Sequence, residues 1–395
     1  MKSGICTAQV PTSKAVSFLS KRAIDVYALC IVSLVTLCMP IRANAVSEHV
    51  FYVSQNDFHV HELYYNGRWW DNDLTATTNG PMAESYTLSS FWDGQVEHVF
   101  YVSCCDYHVR ELYYYNYRWW GNDLTLAANG VRAYIYALTS FFDGHIEHVF
   151  YISQNDFHVR ELYYYNYRWW SNDLTADTNS PPAGAIALTS FFDGRTEHVF
   201  YVGLNDSHVH ELYNNGYWWG NDLTNDAKGL PAFGPLTSFF DGSMAHVFYV
   251  SPSYGHYNDH VHELYYSGNW WDNDLTTDTN GPPAYWISLT GFSEQGLHHV
   301  FYVSNGDYHV RELYYNGSWW GNDLTADTKG PSDQFSPLTS FVFGASNEHV
   351  FYISNGDNHV HELYNNGSWW GNDLTADTNS PAAVTGSAVT SFATP

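Results

Sequence analysis

The chain has 395 residues, of which 18% are aromatic, and a formal net charge of −26 at pH 7. The first 45 residues carry a net charge of +4, so the remaining residues carry −30. A surface of that sign repels the phosphate backbone, which argues against nucleic acid as a partner. The aromatic content is sufficient for a large core.

The first 45 residues have the pattern of a signal peptide. A basic region ends near Lys21, an apolar run covers residues 26–41, and Ala43 and Ala45 form a small-x-small cleavage site. We therefore predict cleavage after Ala45 and export of a mature chain, 46–395, that is secreted, periplasmic or held at the cell surface without membrane insertion. The alternative is a retained membrane anchor, although 16 apolar residues are few for a spanning helix of about 20.

The rest of the chain repeats one pattern of about 50 residues seven times. Each copy opens with a His-Val-Phe-Tyr motif, whose first residues are His49, His98, His148, His198, His246, His299 and His349. Self-similarity at this period predicts a repeat architecture in which each copy is one structural unit.

Each repeat is predicted to contain four short β-strands and no helix. In the first copy these strands cover residues 49–54, 59–65, 68–75 and 88–92, with turn residues between them. Four strands per repeat, seven times over, predict an all-β fold, a seven-bladed β-propeller with four antiparallel strands per blade.

The ends of the chain predict how the ring closes. A Leu-Thr-Ser-Phe strand, or a close variant of it, follows each repeat. Its last version, Val389 to Phe392, lies at the C-terminus, whereas no such strand precedes His49. We expect the C-terminal strand to complete the first blade, which removes the open edges of the ring.

Two further columns of residues recur in every copy. One is a glutamate in the second strand: Glu62, Glu111, Glu161, Glu211, Glu263, Glu312 and Glu362. The other is a Trp-Trp pair in the third strand, of which one ring is expected in the core and the other free for a pocket. A carboxylate, an imidazole on the adjacent strand and an indole are typical of a pocket for a small polar ligand.

This pattern resembles the fucose-specific lectin β-propellers of fungi and their bacterial relatives. It consists of a basic residue before a short aromatic strand, a Glu about 13 positions later ahead of an aromatic-Asx-Gly turn, and then a Trp. The resemblance implies sugar sites between blades, each with Arg and Glu from one blade and Trp from the next. Carried over, the sites are His49/Glu62/Trp119, His98/Glu111/Trp169, His148/Glu161/Trp218, His198/Glu211/Trp270, His246/Glu263/Trp319, His299/Glu312/Trp369 and His349/Glu362/Trp69.

The sequence departs from that family in two ways. The best-known fungal members have six blades, whereas seven are predicted here, and the Arg is His in every copy. We expect fucose or a related, methylated sugar as the ligand. The replacement of Arg by His, which carries no permanent charge at neutral pH, favours a neutral or methylated sugar over fucose itself. The predicted function is a multivalent, secreted lectin that binds glycans and needs no cofactor; its oligomeric state is left open.

Several other interpretations compete with this one. The glutamates could serve the fold alone, by accepting hydrogen bonds from backbone or His, in a scaffold that binds protein. The first His of each second strand, such as His59, and the Asp before each Leu-Thr, such as Asp73, are expected to stabilise turns or cap them.

The sequence favours neither a metal site nor a catalytic site. A His-x-His pair such as His59 and His61 occurs in four copies, but no third ligand has a fixed place in the sequence, so no metal is expected. A propeller glycosidase would need a unique acidic cluster, whereas this chain repeats one set of residues, so an enzyme is not expected either.

Overall fold

In the computed structural model, the described residues are 46–252, 258–333, 335–344 and 347–395, apart from the side chains of residues 185 and 186. The predicted signal peptide, residues 1–45, lies outside them. Within these ranges no helix is long and apolar enough to cross a membrane.

The described strands form seven antiparallel sheets of four strands, which confirms the seven-bladed propeller. Blade 1 consists of β28 (Val389–Thr394), β1 (Ser47–Val53), β2 (Val60–Tyr65) and β3 (Trp69–Asp73). Blade 2 consists of β4 (Ala83–Trp92), β5 (Glu97–Ser103), β6 (Val109–Tyr115) and β7 (Arg118–Asp123). Blade 3 consists of β8 (Ala133–Phe142), β9 (Glu147–Ser153), β10 (Val159–Tyr165) and β11 (Arg168–Asp173).

The remaining blades have the same order from the innermost strand outward. Blade 4 consists of β12 (Ala183–Phe192), β13 (Glu197–Gly203), β14 (Val209–Asn214) and β15 (Trp218–Asp222). Blade 5 consists of β16 (Leu236–Phe240), β17 (Ala245–Ser251), β18 (His260–Tyr266) and β19 (Trp270–Asp274). Blade 6 consists of β20 (Ala284–Glu294), β21 (Leu297–Ser304), β22 (Val310–Tyr315) and β23 (Trp319–Asp323). Blade 7 consists of β24 (Thr339–Phe343), β25 (Asn347–Ile353), β26 (Val360–Asn365) and β27 (Trp369–Asp373).

The C-terminal strand β28 closes the ring, as predicted. It pairs antiparallel with β1, with Val50 opposite Ser391. Each innermost strand contacts those of both neighbouring blades, and β28 contacts β4 and β24. Hydroxyl pairs 2.7–3.0 Å apart link these strands: Ser89/Ser140, Ser90/Thr390, Thr139/Ser190, Thr189/Ser238, Thr290/Ser340 and Thr339/Ser391. This explains why Thr-Ser recurs in the innermost strands.

The core lies between the blades. In β1, Val50, Phe51, Tyr52 and Val53 are fully buried. Phe51 packs in one cluster with residues of blade 2, such as Val99, whereas Val50 and Tyr52 pack in a cluster with residues of blade 7. Because neighbouring blades cover both faces of this strand, its sequence is a continuous apolar run instead of an alternating one.

The third strand is shorter than predicted. β3 ends at Asp73, and a helical turn follows it, where the sequence predicted strand to residue 75 and no helix. The Asp73 side chain accepts a hydrogen bond from the backbone N–H of Ala76 at 2.8 Å and so caps the helix, which confirms the expected role of Asp73. The described residues contain seven such turns: α1 (Leu74–Thr78), α2 (Leu124–Ala127), α3 (Leu174–Thr178), α4 (Leu223–Ala227), α5 (Leu275–Thr279), α6 (Leu324–Thr328) and α7 (Leu374–Thr378).

Candidate functional site: the clefts between blades

Each blade places its recurrent histidine and glutamate in direct contact. In blade 1, β1 and β2 pair so that His49 lies opposite Tyr64 and Phe51 opposite Glu62. His49 and Glu62 are therefore diagonal neighbours, with Nδ1 and Oε1 2.7 Å apart, and they are 5% and 2% exposed. The same contact, at 2.7–2.8 Å, occurs in the other six blades.

An asparagine that sequence reasoning missed completes this network. Asn72, opposite Glu62 on β3, donates from Nδ2 to Glu62 Oε2 at 2.8 Å. Asn122, Asn172, Asn221, Asn273, Asn322 and Asn372 repeat the contact at 2.7–2.9 Å. The recurrence of Asn-Asp-Leu-Thr in every copy could have identified this residue. Both carboxylate oxygens are thus hydrogen bonded within the blade, and each retains a lone pair for a further donor.

The first Trp of the next blade reaches the same cleft, where the lectin resemblance placed it. Trp119 of blade 2 is 7% exposed, and its ring centroid lies 6.4 Å from that of Phe51 in blade 1. Trp218, Trp319 and Trp369 meet Phe150, Phe248 and Phe301 at 6.2 Å. Trp169, Trp270 and Trp69 lie in the clusters of Phe100, Phe200 and Phe351.

The second Trp of each pair is exposed, as expected, and it belongs to the cleft of its own blade. Trp70 lies opposite Tyr64 in register, with ring centroids 6.5 Å apart, and Tyr64 is 6.4 Å from His49. The guanidinium of Arg68 lies 3.5 Å above the Trp70 ring. Strand alternation puts Tyr64 on the face of Glu62, so the sequence contained the information that places these rings.

A second carboxylate, also missed, approaches each cleft from the next blade. Glu97 Oε2 of blade 2 lies 3.4 Å from His49 Nδ1 of blade 1. The equivalent distances to His98, His148, His299 and His349 are 3.5, 3.6, 3.7 and 3.4 Å, from Glu147, Glu197, Glu348 and Glu48. Burial first, with nearby carboxylates, raises the pKa of Glu97, Glu147, Glu197 and Glu348 to about 7 and that of Glu48 to about 9.

Other carboxylates raise the pKa of two of the recurrent histidines, against the expectation that these side chains are uncharged. Burial disfavours the cation of His98, but the carboxylates of Asp93 and Glu111 outweigh it and raise the pKa of His98 to about 10. The pKa of His148 is also raised to about 10, for equivalent reasons. These imidazoles are cations at neutral pH, so they are closer to the family's Arg than their residue type suggests.

The cleft between blades 5 and 6 is open. Here His298 replaces the second glutamate, with its ring centroid 4.4 Å from that of His246 and Nε2 3.4 Å from Asp241. A cavity of about 180 Å³ results, lined by Met244, His246, Glu263, Tyr265, Asn273, His298, Tyr315 and Trp319. This cavity brings together the predicted His246, Glu263 and Trp319. In the cleft between blades 4 and 5, Ala245 takes the place of the second glutamate.

A larger cavity, of about 590 Å³, lies among the innermost strands. It is lined mainly by apolar residues, among them Leu88, Leu138, Leu289 and Leu338. None of the predicted site residues lines this cavity, and no ionisable side chain other than tyrosine does. The recurrent polar chemistry therefore belongs to the clefts.

The first His of each second strand has the structural role that was expected. His59 Nδ1 lies 2.8 Å from the capping Asp73, and equivalent pairs at 2.8–3.0 Å occur in all other blades. In blade 1 two carboxylates, Asp57 and Asp73, flank His59 and His61. The expectation that a third ligand has no fixed place was therefore wrong, because the cap and the preceding turn fix both carboxylates.

Neither a family model nor a curated protein matches this sequence. Among solved structures, the chain is similar to AofleA from Arthrobotrys oligospora, at 13% identity over 79% of this chain and 89% of that chain, TM-score 0.50. It is also similar to the GH74 xyloglucanase from Xanthomonas campestris, at 10% identity over 82% of this chain and 54% of that chain, TM-score 0.52.

The SapL1 lectin, solved in complex with alpha methyl fucoside, is similar at 16% identity over 74% of this chain and 96% of that chain, TM-score 0.47. At such identities, the similarities to AofleA and to the xyloglucanase show a shared fold.

Proposed function

We propose that the protein is a secreted carbohydrate-binding protein, a lectin without enzymatic activity, that holds sugars in the clefts between its blades. The observation that carries this proposal is the cleft between blades 5 and 6. There, the buried His246 and Glu263 and the partly buried Asn273 form a hydrogen-bonding row, Trp319 lines the same cavity, and the cavity is open to a ligand.

The chemistry of this cleft suits a sugar. Glu263 retains lone pairs for sugar hydroxyls, and the side chain of Asn273 offers both a donor and an acceptor. Tyr265, Tyr315 and Trp319 supply rings for the less polar face of a pyranose. By the resemblance to the lectin propellers, in which His246 takes the position of the Arg, fucose or a related, methylated sugar is the ligand class we propose.

Repetition supports binding to a surface that displays many glycans. The His-Glu-Asn network is present in all seven blades, although carboxylates from the next blade approach the histidine in five of the clefts. Each site is expected to bind in the micromolar to millimolar range, about 4–8 kcal/mol. Several sites on one rigid ring would gain by avidity.

The test is a glycan array probed with the full chain, followed by calorimetry with the sugar that it identifies. Glu263→Gln should abolish the tightest site, because it replaces an acceptor that faces the open cavity. Glu111→Gln is the matched control, since it makes the same change in a cleft that Glu147 enters. This variant should leave the sugar site at Glu263 intact. Absence of glycan binding by folded protein would refute the proposal.

A protein-binding scaffold is the second candidate. It is favoured by one observation: both oxygens of every recurrent glutamate are already hydrogen bonded inside the blade. On this interpretation Glu263→Gln lowers stability and changes no sugar affinity. Hydrolysis of aryl glycosides by the full chain would instead contradict the absence of enzymatic activity.

A further inference from the structure

One position on the second strand is Arg in three blades and His in the other four. Arg occupies it in blades 2, 3 and 6, as Arg110, Arg160 and Arg311, and His in blades 1, 4, 5 and 7, as His61, His210, His262 and His361. In blade 6 the guanidinium joins two carboxylates, with Arg311 Nη2 2.6 Å from Asp307 Oδ2 and Nη1 2.9 Å from Asp323 Oδ2. The position therefore places a cation between two aspartates.

Blade 7 keeps both aspartates but lacks the guanidinium. His359 Nδ1 lies 2.8 Å from Asp373 Oδ2 and 3.8 Å from Asp357 Oδ2, and His361 Nε2 lies 3.9 Å from Asp373 Oδ2. One ligand atom from each of these four residues lies within 4.8 Å of the other three. Blade 1 repeats the geometry with Asp57, His59, His61 and Asp73, where the corresponding distances are 2.8, 3.5 and 3.9 Å.

A second observation points to a ligand at both places. His61 and His361 are only 4% and 8% exposed, and the Nε2 atom of each is buried without a hydrogen-bond partner. Buried polar atoms are nearly always paired, so these two nitrogens require an explanation. Nδ1 of His61 lies 3.0 Å from Asp71 Oδ1, which orients the ring and leaves Nε2 as the acceptor. A carboxylate behind the imidazole is the usual support of a metal-ligating histidine.

We propose that blades 1 and 7 each bind a divalent transition-metal cation of the Zn²⁺ type in the position that the guanidinium occupies in blade 6. The ligands are Asp57, His59, His61 and Asp73 in blade 1, and Asp357, His359, His361 and Asp373 in blade 7. Two imidazoles and two carboxylates are a donor set that Zn²⁺ accepts in tetrahedral geometry. To ligate through Nδ1, the neutral imidazoles of His59 and His359 carry their proton on Nε2 instead of on Nδ1.

The position is accessible to ions. The side chains of Asp357 and Asp373 are 49% and 31% exposed, so a cation can enter without unfolding of the blade. Blades 4 and 5 differ. In blade 4, His210 Nε2 already contacts Asp206 Oδ2 at 3.1 Å, and in blade 5 the group of His260, His262 and Asp274 has Asn258 in place of the first aspartate. These residues are not those of the sugar clefts, so the inference does not depend on the proposed lectin function.

The experiment is a Zn²⁺ titration of the full chain, stripped of metal with EDTA, against a competing chromophoric chelator. We expect two tight equivalents per chain. His61→Arg and His361→Arg should each lose one equivalent, and both proteins should fold, because Arg311 occupies the same place in blade 6. His145→Arg is the matched control at an exposed histidine, and it should lose none.

A gain-of-site variant makes the test stricter. Arg311→His leaves Asp307, His309 and Asp323 in place and should add a third equivalent. Absence of tight Zn²⁺ binding by the unchanged chain would overturn the proposal. A stoichiometry that His61→Arg and His361→Arg leave at two would also overturn it, because the metal would then lie elsewhere.

Discussion

Glu147→Gln should stabilise the ring in alkaline solution, although it removes an interblade ion-pair contact. Glu147 Oε2 is buried without a hydrogen-bond partner, 3.5 Å from His98 Nδ1 across the boundary between blades 2 and 3. Burial first, and then the charge of Glu111, raise the pKa of Glu147 from 4.5 to about 7, despite the opposite effect of His98. The ionised carboxylate is therefore less favourable in the folded protein than in the unfolded chain.

The sign and the size follow from proton linkage. Between pH 4.5 and 7 the folded protein binds more protons at Glu147 than the unfolded chain does, so stability falls as the pH rises through this window. Each pKa unit is worth about 1.4 kcal/mol, so the shift from 4.5 to about 7 gives a penalty of at most about 3.5 kcal/mol above pH 7. Gln keeps the shape of Glu and removes the charge, so it should remove most of this penalty.

Urea unfolding of the full chain at two pH values measures the effect. At pH 4.5 the variant and the unchanged protein should have similar free energies of unfolding. At pH 8.5 the variant should be more stable, by up to about 3.5 kcal/mol. A variant that is less stable at pH 8.5, or whose difference is the same at both pH values, would refute the reasoning.

Three further predictions concern the fold. Glu111→Gln should have the opposite sign and cost about 1.5–3 kcal/mol in urea unfolding at pH 7, because Glu111 accepts hydrogen bonds from a protonated His98 and from Asn122; no loss would contradict the network. Asp123→Ala should lower the free energy of unfolding by about 1–2 kcal/mol, since it removes the cap of α2; an unchanged thermal melt would count against capping. Deletion of residues 389–395 should abolish the cooperative melt and cause aggregation in size-exclusion chromatography, because β1 becomes an open edge; a stable monomer would contradict closure by β28.

The architecture could be predicted because it depends on repetition. Seven copies of a four-strand pattern fix the number of blades, and the position of Val389 at the end of the chain fixes the closure. The helical turn after Asp73 was missed, because five residues are too few to show a helical period. Asp73 was recognised as a capping residue, but a capping residue alone does not show whether a helical turn or an irregular turn follows it.

The candidate site could be predicted only in part. Strand alternation and the lectin resemblance identified Glu62, its histidine and the next-blade Trp119. The contribution of Glu97 and the charge state of the histidines depend on how two blades pack, and no pattern within one repeat encodes that packing. Asn72 was missed because its role appears only when β3 is set in register against β2.

The most direct test of the lectin proposal is a crystal structure of the full chain with alpha methyl fucoside. The proposal predicts density for the sugar in the open cleft, with its hydroxyls on Glu263 and Asn273 and its less polar face on Trp319. Sugar bound outside the clefts, or a cleft that stays empty at saturating sugar, would contradict the proposal.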